Sequence, residues 1–378
     1  MSRVFSSTPL FERVEKARRR KHKIKDTQIT LAHGSGGRAM HELVEGLFLE
    51  YLRNPLLERL EDQAVFEVTA RSLAVQNGND LPKATLAFTT DSYVVDPLFF
   101  PGGDIGKLAV NGTVNDLAMS GARPLFLSAG FILEEGFPIA DLRQVLASMR
   151  DAAAESGVAV VTGDTKVVQK GSVDKLFINT SGVGVIEVPV QLSASNARPS
   201  DKVILSGTLG DHGTTIMIAR GELELETDIR SDSAPLNSLV QEMLEELANI
   251  NSYESLHCLR DPTRGGVATT LNELALSSEV CIEIDESLIP VREEVKGACE
   301  ILGLDPLYVA NEGKLVAIVA ADVAELLVQR MRDNAYGSDS CIIGTVKEEP
   351  QGIVAMQTAF GGTRIVDMLV GEQLPRIC

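Results

Sequence analysis

Residues 89–120 read TTDSYVVDPLFFPGGDIGKLAVNGTVNDLAMS. The β-branched residues before and within its first half predict strands over 84–90 and 93–95, and the apolar spacing of its second half predicts a helix over 105–120. Small residues recur along that helix at Ala109, Gly112 and Ala118, so a backbone or a ligand can approach it closely. We therefore expect these strands to belong to one sheet of a first domain.

The flanking periodicities predict further elements of the same domain. Strands are expected over 28–32, 64–69, 125–133, 158–161 and 177–186, helices over 38–52 and 139–156, and a turn at Gly163-Asp164-Thr165. The polar segment 191–200 reads as a connector to a second domain. That domain is expected to hold strands over 203–206, 281–284, 314–320 and 342–346, with helices over 214–220, 235–248, 267–276 and 323–332. Strands and helices alternate without a strict βαβ rhythm, which predicts an α+β fold.

The chain thus divides into four parts. We predict a basic extension over 1–27, a first domain over 28–190, a second domain over 191–365 and a flexible tail over 366–378. From Gly371 onward the sequence has no periodicity, which predicts an end that is not docked on the fold.

Charge and composition exclude several classes of protein. The net charge is −18, yet residues 1–25 carry nine Lys or Arg and two Glu, so the remainder is more acidic still. Such a body repels nucleic acid, and aromatic residues make up only 4% of the chain. The most apolar stretch, 315–328, is interrupted by Asp322 and Glu325, and no apolar segment follows the arginines of the basic arm at 18–25. We expect a cytoplasmic protein that binds neither nucleic acid nor membrane.

The positions of the five cysteines bear on whether the protein has disulfides, a zinc site or a reactive thiol. They lie at positions 258, 281, 299, 341 and 378, without a C-x-x-C pair, which argues against a disulfide framework or a structural zinc site. Four lie in apolar or helical surroundings that suit small core residues. Cys378 is the last residue of the sequence, where packing does not require a thiol.

Aspartates recur in glycine-, threonine- or asparagine-rich turns. They are Asp62, Asp91, Asp116, Asp164 and Asp261. Each alone is typical of a turn or a helix cap, but together they favour a site where carboxylates and phosphate oxygens share Mg²⁺. Asn111 and Asn115 share one helix face nearby.

Two glycine-rich motifs are weaker. Gly34-x-Gly36-x-x-Ala39 formally matches a dinucleotide-binding fingerprint. In such a fold a parallel strand should follow the helix, but here Asn54-Pro55 and a charged stretch follow it instead. Backbone N–H groups of this loop could still hold phosphate. The stretch 102–108 resembles a P-loop, but Pro101 replaces its first glycine and Leu108 replaces the residue that binds magnesium, so it is not one.

Taken together, five motifs resemble the HypE family of hydrogenase maturation proteins, within the PurM-like (aminoimidazole ribonucleotide synthetase-like) ATP-binding superfamily. They are HGSGG at 33–37, TDSYVVDPLFFPGG at 90–103, GKLAVNGTVNDLA at 106–118, GDTKVV at 163–168 and PRIC at 375–378. The resemblance spans about residues 28–378 and leaves out the basic arm. It implies a two-domain PurM-like architecture, with an N-terminal sheet-forming dimerisation domain and a C-terminal α/β-sandwich domain.

The resemblance also implies an activity and its residues. Cys378 would receive a carbamoyl group from the carbamoyltransferase HypF, and ATP with Mg²⁺ would drive its dehydration to a thiocyanate, whose cyano group passes to iron on the HypC–HypD complex for [NiFe]-hydrogenase. Glu312 and Lys166 are the candidate bases. The implied nucleotide-binding residues are His33, Gly34, Ser35, Gly36, Gly37, Lys107, Asn111, Thr113, Asp164 and Thr165; the implied metal ligands are Asp62, Asp91, Asp116 and Asp261. A homodimer through the first domain would place ATP near the subunit interface.

Three alternatives remain open from the sequence. Selenophosphate synthetase and thiamine-phosphate kinase would share the fold and the ATP site, although no Cys here precedes position 258 and neither explains a terminal Cys. The protein could also be an ATP-regulated scaffold whose tail only docks partners. Phosphate release that depends on a carbamoylated tail would separate an enzyme from a scaffold.

Overall fold

The structure is a computed structural model that describes residues 28–69, 83–221, 227–371 and 376–378. The basic extension predicted over 1–27 lies outside these residues. Within the described ranges, no helix is long and apolar enough to cross a membrane.

Seven strands form among the described residues of the first domain. They are β1 (Ala64–Thr69), β2 (Lys83–Tyr93), β3 (Phe99–Phe100), β4 (Gly103–Asp104), β5 (Arg123–Glu134), β6 (Ala159–Val168) and β7 (Leu176–Ile186). Five of them form one sheet in the order β1-β2-β7-β5-β6, and β3 pairs with β4 as a separate ribbon. Only β5 and β6 run parallel within that sheet; the other neighbours are antiparallel. The strand β6 is therefore an edge strand.

Four α-helical segments accompany these strands. They are α1 (Arg38–Leu43), α2 (Leu49–Leu52), α3 (Ile105–Met119) and α4 (Ile139–Ser156), and a π-helical turn, Val44–Phe48, joins α1 to α2. The Asp104 carboxylate caps α3 by accepting hydrogen bonds from the Gly106 and Lys107 amides, at 2.7 and 3.0 Å. Helix α3 is buried around most of its circumference, since it packs between the sheet and α4.

In the second domain, the part of the chain that the structure describes contains seven strands and five helices. The strands are β8 (Lys202–Leu205), β9 (Leu256–Arg260), β10 (Cys281–Asp285), β11 (Val316–Val319), β12 (Cys341–Lys347), β13 (Ile353–Gln357) and β14 (Thr363–Val366). The helices are α5 (Asp211–Ala219), α6 (Asn237–Asn249), α7 (Gly266–Ser277), α8 (Glu293–Leu302) and α9 (Ala324–Arg332). The strands form a single sheet in the order β14-β13-β10-β12-β8-β11-β9.

This second sheet buries both of its faces. Val203 and Leu205 point to one side, where they belong to an apolar cluster with Leu271 of α7. Ile204, between them, points to the other side and packs in a cluster with Leu239 of α6. Because successive residues of a strand alternate between faces, this pattern makes a helix–sheet–helix sandwich. The predicted α+β class and C-terminal sandwich are confirmed.

Some predicted elements differ in the structure. No strand forms over 28–32; a 3₁₀-helix, Leu31–Gly34, begins there instead. The strands predicted over 84–90 and 93–95 are one strand, β2, which ends at Tyr93, and the turn predicted at 163–165 lies inside β6. Strands β9, β13 and β14 and helix α8 were not predicted. The tail does not end undocked, because Cys378 is only 7% exposed.

Close approach of α4 to α3 depends on a glycine. A Cβ atom placed on Gly106 would lie 2.4 Å from the Val145 carbonyl oxygen, which belongs to the α4 backbone and cannot rotate away. We predict that Gly106→Ala destabilises the protein by about 1–3 kcal/mol, because the two helices must move apart. Thermal or urea unfolding measures the change.

Gly297 provides the matched control for this substitution. It lies within α8, and a Cβ atom there meets nothing within 4 Å. Gly297→Ala should leave stability unchanged or raise it by up to about 1 kcal/mol, since alanine favours the helix. Equal effects of the two substitutions would show that helix packing does not limit position 106.

Candidate functional site

The last three residues of the sequence pair with the segment that follows β2. The Val94 amide donates a hydrogen bond to the main-chain oxygen of Cys378 at 2.9 Å, and the Asp96 amide donates to the Arg376 carbonyl at 3.3 Å. The Arg376 guanidinium returns a hydrogen bond to the Val94 carbonyl at 2.8 Å. The tail is thus held like an added strand, against the prediction of an undocked end.

The docked thiol faces a small cavity of about 170 Å³. Gly34, Ser35, Ser92 and Arg264 contribute to its walls. Burial raises the pKa of the Cys378 thiol to about 12, with smaller contributions that raise it from Glu312 and Asp91 and one that lowers it from Arg264. The thiol is therefore protonated at neutral pH while the tail is docked.

A larger cavity of about 650 Å³ opens on the other side of Arg264. Gly36, Asp62, Thr89 and Asp261 are among the residues that line it, so it is built from the glycine loop, the first sheet and the segment between β9 and α7. Its volume falls within the range of roughly 300–1,000 Å³ that small-molecule sites occupy. Both the loop and two of the predicted metal ligands thus reach a cavity large enough for a nucleotide.

Arg264 is the side chain that both cavities share. Its guanidinium lies 3.7 Å from the Asp91 carboxylate and donates a long hydrogen bond, at 3.4 Å, to the Gly34 carbonyl. Arg264 lies in the segment Asp261-Pro-Thr-Arg264-Gly-Gly, in which the sequence pattern predicted a role only for Asp261. The arginine in that segment was the available signal, because a fixed cation is what a phosphate site requires.

Half-buried carboxylates lie at the wall of the larger cavity, as Asp62 and Asp261 do, or next to it, as Asp116 does. Burial raises the pKa of Asp62 to about 6, opposed by Arg260, and raises the pKa of Asp261 to about 7, with added repulsion from Asp62. Burial, then repulsion from Asp261, Asp91 and Asp62, raises the pKa of Asp116 well above its usual value, although Thr89 donates a 2.8 Å hydrogen bond to it. The predicted metal ligands therefore interact strongly with one another.

These side chains do not form a ready-made metal cage. Among the residues that the structure describes, no group of three or more His, Cys, Asp or Glu side chains is placed to hold an ion. Mg²⁺ is usually held by only one or two carboxylates together with water and phosphate oxygens, so a cage is not required. The fit is supported by two buried oxygen atoms that have no hydrogen-bond partner among the described residues, Glu312 Oε1 and Thr269 Oγ1.

Glu312 lies on the second-domain side of the site. It is 4% exposed, and its amide donates a hydrogen bond to the Asp232 carboxylate at 3.1 Å. Burial raises its pKa well above the usual value, and repulsion from Asp91, Asp232 and Asp261 adds to this effect. Since Glu312 also contributes to raising the pKa of the Cys378 thiol, the two side chains share one electrostatic environment.

Several residues of the predicted nucleotide site lie elsewhere. The Lys107 ammonium donates to the Gly102 carbonyl at 3.2 Å, and the hydroxyls of Thr113 and Thr180 are 2.5 Å apart inside the first domain. Asn111 donates to the Ser233 hydroxyl at 3.3 Å, and its buried Oδ1 has no partner among the described residues. None of the three predicted residues lines either cavity.

The residues of the glycine loop, 33–37, also differ in whether they line a cavity. The His33 ring is buried and lies 2.9 Å from the Thr30 hydroxyl, so it orders the start of the loop. A Cβ atom on Gly37 would lie 2.4 Å from the Leu369 carbonyl, which shows how closely the chain after β14 packs there. Only Gly34, Ser35 and Gly36 of this loop line the cavities.

Asp164, Thr165 and Lys166 lie on β6, away from both cavities. The Lys166 ammonium and the Asp164 carboxylate form an ion pair at 2.8 Å, with both side chains 70% exposed. Within one protomer, the structure does not bring Lys166 to the Cys378 thiol. Its catalytic role stays a prediction.

The fold and site define an AIR synthase related protein. Residues 61–186 match the model of the N-terminal domain of that family, and residues 198–357 match the model of its C-terminal domain. More narrowly, the chain is 54% identical over 355 residues to the carbamoyl dehydratase HypE of Azotobacter vinelandii, which covers 94% of this chain and 98% of that protein. The chain belongs to the HypE family, and the resemblance is confirmed.

Solved structures agree with this assignment. A crystal structure of a HypE–HypF complex matches with a TM-score of 0.77 and 48% identity, covering 86% of this chain and 99% of that chain. A HypE crystal structure in complex with ATP matches with a TM-score of 0.73 and 49% identity, covering 93% of this chain and all of that one.

The crowded carboxylates predict a stability that depends on pH. In the folded, metal-free protein the pKa of Asp261 lies above its value in the unfolded chain, so folding binds a proton and stability falls as the pH rises from about 4 to about 7. We predict that Asp261→Asn stabilises the metal-free protein at pH 8 by on the order of 2 kcal/mol. Unfolding curves at pH 5 and pH 8 measure this effect.

The same variant should lose the stabilisation that Mg²⁺ and ATP give together, since it removes an anionic oxygen from the cavity wall. Asp322→Asn, at an exposed position before α9, is the control and should change neither property. An Asp261→Asn protein that is less stable at pH 8, and is still stabilised by Mg²⁺ with ATP, would contradict this account of the site.

Proposed function

We propose that the protein is an ATP-dependent carbamoyl dehydratase that acts on an S-carbamoyl group carried by its own Cys378. The observation that carries the proposal is Arg264, which separates the cavity of the docked thiol from a cavity of nucleotide size. A group on the sulfur and a phosphate in the larger cavity would approach each other across this single side chain.

The chemistry requires activation of a poor leaving group. In the proposed reaction the carbamoyl oxygen bonds to the terminal phosphorus of ATP, and ADP leaves. The C–O bond then breaks, phosphate departs with that oxygen, and the nitrogen loses both protons, which leaves S–C≡N on the cysteine. The guanidinium of Arg264, held near Asp91, is placed to stabilise the negative charge that moves during phosphoryl transfer.

Glu312 is the proposed base for the first amide proton, and the departing phosphate takes the second. A buried glutamate with a raised pKa is, once deprotonated, a stronger base than an exposed one. Its Oε1 has no hydrogen-bond partner in the described structure and so can accept a proton. Asp232, whose charge is balanced by Lys314 at 3.1 Å, orients the Glu312 main chain.

Mg²⁺ is the proposed cofactor, and Asp91, Asp116 and Asp261, with Asp62 beside them, are the side chains that would hold it. When bound it would neutralise phosphate charge and the repulsion among these carboxylates. Gly36 is the residue of the glycine loop that lines the larger cavity, and its backbone N–H is proposed to meet a phosphate oxygen there.

The docked thiol is too deeply buried to meet another protein, so the tail must leave its groove to be loaded and unloaded. A relative crystallises with HypF, and we propose the carbamoyltransferase HypF as the loading partner. The HypC–HypD complex is the proposed acceptor of the cyano group for iron.

We also propose a homodimer formed through the first sheet. Its outer face exposes Phe88 and Phe126, and the edge strand β6 buries none of its residues although it includes Val161 and Val167. A second copy would cover these apolar side chains. It would also let Lys166 act at the Cys378 site of the partner subunit.

Cys378→Ser tests the acceptor. A hydroxyl has a far higher pKa than a thiol and is a weaker nucleophile, so this variant should not gain the mass of a carbamoyl group when incubated with HypF, carbamoyl phosphate and ATP. Intact mass spectrometry should show the parent gaining a carbamoyl group and then losing one water. Cys341→Ser, at a half-buried cysteine on β12, is the control and should behave as the parent. Phosphate release that persists in Cys378→Ser would instead favour an ATP-regulated scaffold.

Mixing two inactive variants tests the shared site. If Lys166 acts across the dimer, Lys166→Ala and Cys378→Ala should each be inactive, and their heterodimer should contain one complete site. Random reassortment would then restore about a quarter of the parent activity per protomer. If Lys166 acts within its own protomer, every heterodimer site lacks one group, and mixing restores nothing.

A further inference from the structure

The last three residues of the docked tail make a set of specific contacts with the body of the protein. Arg376 lies with its guanidinium 5.7 Å above the Phe177 ring and forms an ion pair with Asp174. Ile377 is 4% exposed and packs in the apolar cluster that also contains Ile216 and Ala310. One side chain thus lies in a charged slot, and the next fills an apolar pocket.

Two basic side chains of the body bind the carbonyl groups of this tail. The His212 ring, through Nε2, donates to the Ile377 carbonyl at 2.7 Å, and the Arg220 guanidinium donates to the Arg376 carbonyl. Burial lowers the pKa of His212, which keeps the ring neutral. Neither donor belongs to the groups assigned above to nucleotide, metal or proton transfer.

Both donors are held by partners other than the tail. The other ring nitrogen of His212 lies 2.8 Å from the Ser231 hydroxyl, and the ring packs edge-on against Phe100. Arg220 also donates to the Asp96 carbonyl, and Lys175 holds the Asp96 carboxylate at 2.9 Å. A groove whose donors are fixed in this way is preorganised, so little order is lost when a peptide enters it.

We propose that this groove is a peptide-binding site that recognises a segment ending in Arg-Ile-Cys, with His212 and Arg220 as positioning residues, and that it binds such a peptide in trans. The tail is then an intramolecular ligand rather than a fixed part of the core. That this ligand carries the reacting group rests on the proposed function, whereas its binding does not.

Competition in the full-length protein tests the proposal. A short tether gives the tail an effective concentration on the order of 1 mM, and a free peptide displaces half of the docked tails when its own concentration reaches that range. The probe is the peptide Leu-Pro-Arg-Ile-Ser, which lacks a thiol. The readout is the rate at which iodoacetamide alkylates Cys378 in a Cys341→Ser background, without ATP, measured by intact mass.

The peptide should accelerate alkylation, because an undocked thiol is exposed and more readily ionised than the docked one. The control peptide, Leu-Pro-Glu-Ile-Ser, places a carboxylate beside Asp174 and should have no effect at the same concentrations. Equal acceleration by both peptides, or no acceleration by either up to about 10 mM, would overturn sequence-specific recognition in trans.

Variants of the donors give an independent measurement. Arg220→Ala should raise the alkylation rate of Cys378 about tenfold, since it removes a charged hydrogen bond that holds the tail. It should also raise the peptide concentration needed for half-displacement of the remaining docked tails, because the free peptide loses the same hydrogen bond. Arg220→Lys should recover part of this loss. Arg330→Ala, whose partners are Glu242 and Glu245 on α6, is the control and should alter neither quantity.

The outcomes separate this inference from the proposed function. Unchanged alkylation in Arg220→Ala, in a protein with a normal unfolding curve, would show that these donors do not position the tail, even if dehydration proceeds normally. Peptide binding without any carbamoyl dehydration would sustain the groove and reject the function instead.

Discussion

Repulsion among carboxylates buried between the two domains is the constraint on which the site depends. Asp116, Asp261 and Glu312 lie where water is scarce, and burial and their shared negative charge raise all three pKa values. Such an arrangement destabilises a folded protein unless positive charge arrives with a ligand. Arg260 and Arg264 supply part of that charge. A bound cation would contribute the remainder, so relief of the repulsion among these carboxylates favours cation binding.

These groups stay together only if the two domains keep a fixed position relative to each other. Asn115, near the end of α3, donates hydrogen bonds to the Ala234 and Glu312 carbonyls and accepts one from the Leu236 amide. A buried amide with all three partners in the second domain fixes the first domain against it. The small residues of α3 serve the same end, because they let the helix lie deep between the sheet and α4, where Asp116 accepts a hydrogen bond from Thr89 of the cavity wall.

The sequence predicted those elements and residues that can be recognised from residue type and spacing within one short segment. The helix over 105–120, the aspartates in turns and the glycine loop could all be recognised from residue type and spacing. Strand β9, Leu-His-Cys-Leu-Arg, could not, since it has no β-branched residue and is strand only because both of its faces are buried. The docking of Cys378 was missed for a related reason: its order comes from contacts with Val94 and His212, which lie far away in sequence. Lys166 was recognised as part of a motif, but the described residues of one protomer do not bring it to the Cys378 thiol.

The burial of Cys378 separates the two kinds of chemistry that one sulfur must perform. An exposed cysteine with an ordinary pKa of about 8.5 is partly thiolate at neutral pH and can attack a carbamoyl donor. Docking raises that pKa to about 12, so the bare thiol is a poor nucleophile beside ATP and does not compete for phosphate. A carbamoylated sulfur has no proton to lose, and the same burial does not penalise it. The groove therefore favours a tail that carries a carbamoylated sulfur over one that carries a thiolate. In the proposed reaction this preference orders the steps, because carbamoylation takes place outside the groove and dehydration takes place within it.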